Sequence, residues 1–196
     1  MSYLYFITHP EVVVDAQTPV ERWHLSASGI ARMRTFAHQP ALSGVRAIWS
    51  STETKAIEAA GILAAALGLG VSVSKALGEN DRSATGFLPP AEFKQVADAF
   101  FAEPAASVRE WERAIDAQAR VHDAVSQIVS EHNGDDLAIV AHGAVGTLLF
   151  CALAGKPIAR TFDQPPGASL ESAAVEPHTR HRLAADRRTI VVPAGP

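Results

Sequence analysis

The sequence predicts an α/β fold, a three-layer α/β/α sandwich around a mostly parallel central sheet. Three observations carry that reading. Apolar runs of strand length recur at residues 3–7, 45–49, 71–73 and 136–141. Stretches with helical spacing of apolar residues separate them. Glycine, proline and asparagine mark the junctions, as at Gly68, Pro89-Pro90 and Asn133-Gly134. Strands alternating with helices build parallel sheets, because a parallel neighbour needs a long crossover connection.

The elements follow in order. Tyr3-Leu4-Tyr5-Phe6-Ile7 reads as the first strand. Ser26 or Ser28 is placed to cap a helix reaching about His38, with Ile30, Met33 and Phe36 on its inward side. Residues 45–49 form a second strand. Thr52 is the expected cap of the next helix, which runs through Ala66 and stops at Gly68. Its alanine-rich face allows close packing on a sheet.

After a short strand at 71–73, residues 77–90 read as a loop containing Gly78, Gly86, Pro89 and Pro90. A helix begins at Pro89 or Pro90, since proline is tolerated in a first helical turn, and runs to Ala102. Ser107 with Glu110 three residues on makes a capping-box pattern for a longer helix. Trp111, Ile115, Val121, Val125, Ile128 and Val129 recur along it at roughly helical spacing. Asn133-Gly134-Asp135 ends that helix, and 136–141 is the next strand. Two further strands are expected near 169–175 and 189–192, with a disordered tail after Val192.

At 196 residues the chain reads as one domain over 1–196, and 47% hydrophobic residues are enough to bury a substantial core. A net charge of -4 argues against general nucleic-acid affinity, which needs clustered cations. The single cysteine, Cys151, excludes an intramolecular disulfide, fits a reducing compartment, and lies in an apolar run that makes it a core thiol. No basic segment precedes the first apolar residues, which argues against a signal peptide. Residues 137–155 are apolar apart from His142 and Thr147, but three glycines and a histidine fit a strand, a turn and a helix better than a membrane span. The expectation is a cytoplasmic protein without nucleic-acid or membrane partners. Its oligomeric state is left open.

His9 and His142 each follow an apolar strand. In an open parallel sheet, side chains at the carboxyl ends of strands project into the crevice where ligands bind. Two imidazoles delivered there can meet across one pocket. Other motifs weigh less. Gly143-Ala144-Val145-Gly146 lacks both the full dinucleotide spacing and the Gly-Lys-Ser/Thr ending of a phosphate loop. His178-Thr179-Arg180-His181 lacks the thiolates or carboxylates of a metal site and reads as a surface turn. No metal and no cofactor is expected.

Five motifs in order resemble the histidine phosphatase (phosphoglycerate mutase-like) superfamily. Leu4-Tyr5-Phe6-Ile7-Thr8-His9-Pro10-Glu11 is similar to the strand that runs into the family's Arg-His-Gly-Glu. Leu25-Ser26-Ala27-Ser28-Gly29 is similar to Leu-Thr-x-x-Gly, and the run from Ser50 to Ala60 to Ser-Ser-x-x-x-Arg-Ala-x-x-Thr-Ala. Leu77-Gly78-Glu79 resembles the Leu-x-Glu that carries the proton donor, and Ala141-His142-Gly143 the second histidine motif. The match spans roughly residues 3 to 155 and implies a phosphoglycerate mutase-like sandwich.

The resemblance implies roles as well. His9 would be the nucleophile that forms a phosphohistidine, Glu79 the proton donor, with Asp81 as a neighbouring competitor, and His142 a donor to a phosphoryl oxygen. Gly143, opening a helix, would offer its amide to the same anion. The chain departs from the pattern where the family carries two arginines: Thr8 replaces the first and Lys55 the second. Lysine keeps the charge but not the planar fork that grips two oxygens. Pro10 removes an amide donor next to the nucleophile, and Asp15 stands where many members have a phosphate-facing asparagine. Arg82, three residues beyond Glu79, and Arg22 are the candidates to supply the missing cation.

The leading expectation is a phosphomonoesterase acting on a small phosphorylated metabolite through a phosphohistidine at His9. The alternative is a catalytically weak or inactive relative that binds an anionic ligand or a protein partner. A mutase fits less well, since the stretch between Glu79 and His142 leaves little room for mutase-type insertions.

Overall fold

The computed structural model describes residues 3–132, 134–163, 181–183 and 188–191, the last two segments as backbone only. Strands and helices alternate as β1 (Tyr3–Thr8), α1 (Ala27–Ala37), β2 (Val45–Ser50), α2 (Thr54–Leu67), β3 (Val71–Val73), α3 (Pro90–Ala102), α4 (Ala114–Glu131), β4 (Asp136–Ala141), α5 (Gly143–Leu153), β5 (His181–Leu183) and β6 (Arg188–Val191). The sheet order is β3-β2-β4-β1-β6-β5. All pairings are parallel except β5 with β6.

The two-residue period of β1 sorts its side chains to the two faces. Tyr5 and Ile7 join Ile48, Ala138 and Val140 beneath α1 and α2, meeting Met33, Phe36, Ala56, Ala59, Ala60 and Leu63. Leu4 and Phe6 join Leu137, Ile139 and Ala141 on the opposite face, against Val121, Val125 and Ile128 of α4 and Val145 and Leu149 of α5. Both faces of β4 are therefore covered, which is why that strand is continuously apolar. Each fully buried valine, leucine, isoleucine, methionine or phenylalanine among them contributes about 1.5–3 kcal/mol by leaving water. A third cluster joins α3 to α5 through Phe100, Phe101, Trp111 and Leu148.

The helix ends show where local signals operate. Ser26 caps α1 by accepting the Gly29 amide at 2.9 Å. Gly29 has no room for a side chain, since a Cβ there would stand 2.2 Å from the Glu11 carbonyl oxygen. Gly68 ends α2 in the left-handed conformation, φ 68°.

Two expected caps are corrected. α2 is preceded by Glu53, not Thr52, and Glu53 makes no capping bond because its carboxylate is engaged elsewhere. The Ser107/Glu110 capping box does not form. Ser107 Oγ donates to the Trp111 carbonyl at 2.7 Å, and Arg109 and Glu110 take positive φ, so the chain makes a 3-10 turn there and α4 starts at Ala114. Trp111 is buried outside the helix, Ile115 is 37% exposed, and Ala114 and Ala117 face the core instead. The strand expected near 169–175, the first three residues of the turn expected over 178–181 and the tail after Val192 lie outside the described residues, while the fourth residue of that turn, His181, begins β5. Among the described residues, no helix is long and apolar enough to cross a membrane.

Candidate active site

β4 lies between β1 and β2, and each of those strands pairs with it rather than with the other. Beyond β2 the sheet continues to β3, and beyond β1 to β6, so connections diverge at the β1–β4 junction. This is the switch point at which parallel sheets open a crevice at their carboxyl ends. The ladder runs one bond past the strands: the His9 amide donates to the Ala141 carbonyl at 3.0 Å, and the Ser51 amide to the Val140 carbonyl at 3.1 Å. His9, Ser51 and His142 thus emerge side by side. The His9 and His142 rings meet edge-on, centroids 5.2 Å apart.

The two imidazoles are held differently. His9 Nδ1 lies 2.8 Å from the Pro10 carbonyl oxygen. A carbonyl only accepts, so Nδ1 carries the proton and Nε2 is the nitrogen with the lone pair. Burial lowers the His9 pKa to about 4, overriding the opposing hydrogen bond to Pro10. His142 is fully buried. Burial, then the neighbouring His9, holds its pKa well below the ordinary imidazole range. Its Nε2 sits 2.7 Å from Ser51 Oγ and 3.2 Å from Glu53 Oε1. The adjacent carboxylate favours the proton on Nε2.

Glu79 reaches the same place from the 77–90 loop. Its carboxyl group accepts the amides of Ala144 at 3.3 Å and Val145 at 3.1 Å, closing the amino end of α5. Burial nevertheless pushes its pKa up, helped by Glu53 and opposed by Arg82. The loop is held from behind by Arg120. That guanidinium donates to the carbonyls of Ala76, Gly78 and Glu79 and grips Glu112 at 2.9 and 2.7 Å.

Glu53 connects the groups. One oxygen accepts the Glu79 amide at 2.8 Å and lies near His142; the other accepts Lys55 Nζ at 2.5 Å. Lys55, 3% exposed, also donates to the Val20 carbonyl at 2.8 Å. Its charge is therefore matched inside the protein.

The remaining predicted residues fall as follows. Thr8 ends β1, its methyl 3.8 Å from where a Cβ on Gly146 would stand. Gly143 begins α5, with open space where a side chain would point. Arg82 lays its guanidinium 5.0 Å from the centroid of the Phe93 ring, and its charge reaches His9, Glu79 and His142. Arg22 is exposed at the end of the turn Val20–Arg22. Asp15 lies on an exposed loop, its carboxylate accepting from Thr18 Oγ1 and the Gln17 amide, bonds that lower its pKa. Trp23 fastens that loop by donating to the Asp15 and Thr18 carbonyls and leans toward Phe87. A cleft of about 850 Å³ opens beside these groups, lined by Glu53, Glu79, Asn80, Arg82 and Arg120 among others.

Sequence reading overlooked Ser51, Glu53, Glu112 and Arg120. Ser51 and Glu53 lie within the motif from Ser50 to Ala60, where a charged residue in a strand-to-helix turn was a usable signal. Arg120 offered none, since an arginine on an amphipathic helix ordinarily faces water. Among the described residues, no group of histidines, cysteines and carboxylates is arranged to hold a metal ion.

The arrangement brings a neutral imidazole with a lone pair edge-on to a second imidazole at the carboxyl ends of β1 and β4, and sets a carboxyl group biased toward its protonated form on the wall of the cleft, which neither histidine lines. Such a set can carry out nucleophilic and general acid–base chemistry.

Comparison with known proteins agrees with this geometry. The family model described as the histidine phosphatase superfamily (branch 1) matches residues 4–182. No curated protein matches the chain. Among solved structures, Bacillus stearothermophilus YhfR is similar with 25% identity and a TM-score of 0.73, over 86% of this chain and 87% of that one. A mycobacterial glucosyl-3-phosphoglycerate phosphatase shares 20% identity with a TM-score of 0.69, over 80% and 81% of the two chains. A phosphoserine phosphatase variant from Entamoeba histolytica, solved with phosphoserine, shares 14% identity with a TM-score of 0.68, over 82% and 83%. With five motifs in order, the paired histidines at the switch point and a family match across nearly its whole length, this chain belongs to the histidine phosphatase superfamily, branch 1.

Proposed function

We propose that this protein is a phosphomonoesterase that hydrolyses a small phosphorylated metabolite through a phosphohistidine at His9. The observation that carries this reading is the His9–His142 pair, with His9 Nδ1 bound to the Pro10 carbonyl and Nε2 left as the nucleophilic nitrogen. In the first step His9 Nε2 attacks phosphorus, an N–P bond forms, the bond to the leaving oxygen breaks, and Glu79 gives that oxygen its proton. In the second, water attacks phosphorus, Glu79 takes the water's proton, and the N–P bond breaks to release phosphate and free His9. The Gly143 amide, Thr8 and Arg82 serve as phosphoryl-oxygen donors in this reading, joined by His142 once its Nε2 proton turns from Glu53 to the ligand. Lys55 contributes through Glu53. A cytoplasmic setting belongs to the same reading, supported by the single, buried, unpaired Cys151.

A second reading, a weak or inactive relative that binds an anion, draws on the Lys55–Glu53 pair. The one cation kept at the family's arginine positions is matched by an internal carboxylate. Turnover of a panel of phosphomonoesters separates the two. The phosphatase reading expects hydrolysis that His9→Ala abolishes and acid-quenched enzyme that carries acid-labile phosphate. Activity indifferent to His9→Ala rejects the mechanism, and binding of phosphate without turnover of any ester supports the second reading.

A further inference from the structure

We propose that Glu53 is a specificity-determining residue that restricts the site to tetrahedral anions carrying one negative charge and a proton. The preferred ligand is a phosphoryl group in its protonated, monoanionic form rather than a dianion. This deepens the reading of the crevice as a phosphoryl site and rests on it.

The argument begins with which charges are matched. Lys55 Nζ is 2.5 Å from Glu53 and 2.8 Å from the Val20 carbonyl, so the pair is neutral as a unit. Arg120 is matched by Glu112 through two bonds. His9 and His142 are disfavoured as cations by burial, and Glu79 is disfavoured as an anion for the same reason. Arg82 then remains as the cation whose charge reaches both histidines and Glu79. Glu21, Lys75 and Asp81 also line the cleft, but they are exposed and water screens them. Among the described residues the inner site offers at most about one net positive charge, too little to balance a dianion.

Geometry adds direction to that count. Glu53 shares the cleft wall with Glu79 and Arg82, and its side chain is 13% exposed. Ionised, it is an acceptor only, with about four lone-pair sites. The Lys55 ammonium, the Glu79 amide and His142 Nε2 approach it, fewer partners than its lone-pair sites, and the side chain lines the cleft. An oxygen that carries a proton can donate to this carboxylate. A bare oxygen of a dianion meets like charge there, and such a juxtaposition is unfavourable in a partly dry site. A carboxylate beside His142 thus acts as a proton-reading filter.

The test is calorimetric titration of the full chain with inorganic phosphate and with sulfate at about pH 5.5, where phosphate is mainly monoanionic and sulfate is a proton-free dianion of the same shape. The wild-type protein is expected to bind phosphate at least about tenfold more tightly than sulfate. Glu53→Gln, which keeps an oxygen acceptor for Lys55 while removing the charge, is expected to erase that preference by gaining affinity for sulfate. Equal affinity of the wild-type protein for the two anions overturns the inference without recourse to any variant. A Glu53→Gln protein that folds by circular dichroism and keeps the wild-type preference overturns it too. Absence of binding for both anions overturns this inference together with the phosphoryl-site reading. The expected preference without turnover of any ester sinks the phosphatase reading and leaves this one standing.

Discussion

The carboxyl group of Glu79 accepts the Val145 amide at 3.1 Å, so the acid carried by the 77–90 loop also closes the amino end of α5. In the proposed mechanism one side chain thereby joins two tasks, helix capping and proton delivery, that substitutions can separate. Glu79→Gln keeps an oxygen for the amides and loses the exchangeable proton, whereas Glu79→Ala loses both. Both variants are expected to reduce turnover by about 10²–10⁴-fold. Only Glu79→Ala is expected to lose about 0.5–2 kcal/mol of stability as well. Steady-state kinetics beside urea denaturation reads the two effects apart.

The ionisation of His9 and Glu79 sets the expected pH response. His9 must be neutral and Glu79 protonated for the first step. His9 stays neutral down to about pH 4, so the acid limb of kcat/KM is expected near that value instead of at the ordinary 6.5. The alkaline limb follows loss of the Glu79 proton, above the ordinary 4.5. Stability has matching signs. For His9 the unfolded chain takes its proton first, so stability falls as pH drops from about 6.5 toward about 4. For Glu79 the native state holds the proton longer, so stability falls as pH rises from 4.5 through its raised native value. A pH–rate profile and denaturation midpoints across the same range check both, and an acid limb centred at 6.5 contradicts the assignment.

Removing Lys55 alone leaves Glu53, half-buried on the cleft wall, without its counter-ion. Lys55→Ala is expected to cost up to about 3 kcal/mol, the low end of the penalty for breaking a buried pair, because water in the cleft reaches Glu53. Adding Glu53→Gln in the same chain is expected to recover part of that loss, because the unpaired charge is gone. A double-mutant cycle by thermal unfolding measures the coupling, and independent effects would contradict the pairing seen here.

Arg82 and Arg22 make a matched comparison, since the Arg82 charge acts on both histidines and Arg22 is exposed on a surface turn. Arg82→Ala is expected to weaken phosphate binding by about tenfold or more, as loss of a charge-assisted contact does. Arg22→Ala is expected to leave it unchanged. Calorimetry on both variants decides whether the cation comes from the 77–90 loop.

The fold was legible because it rests on periodicity. Leu4, Tyr5, Phe6 and Ile7 divide between two cores by simple alternation, and Gly68 stops its helix where the pattern ends. His9, Glu79 and His142 were legible because each occupies a fixed place at a strand end or in the loop facing it. The hidden parts depend on tertiary partners. Whether Lys55 faces a ligand or a carboxylate depends on Glu53, two residues away, turning inward to meet the Glu79 amide. The Ser107 cap failed because burying Trp111 outweighed a local hydrogen bond of about 1 kcal/mol.

The place of β4 between β1 and β2 has a consequence for biosynthesis. A nascent chain that has emerged only as far as α4 holds two strands that lack their shared neighbour, and Tyr3 waits for Asp136, 133 positions later, to receive its amide. Contacts of such long separation close slowly, because chain entropy is lost before any attraction is gained. The candidate crevice is therefore assembled by one late insertion event, and truncated translation products are expected to lack it and to associate through the vacant slot.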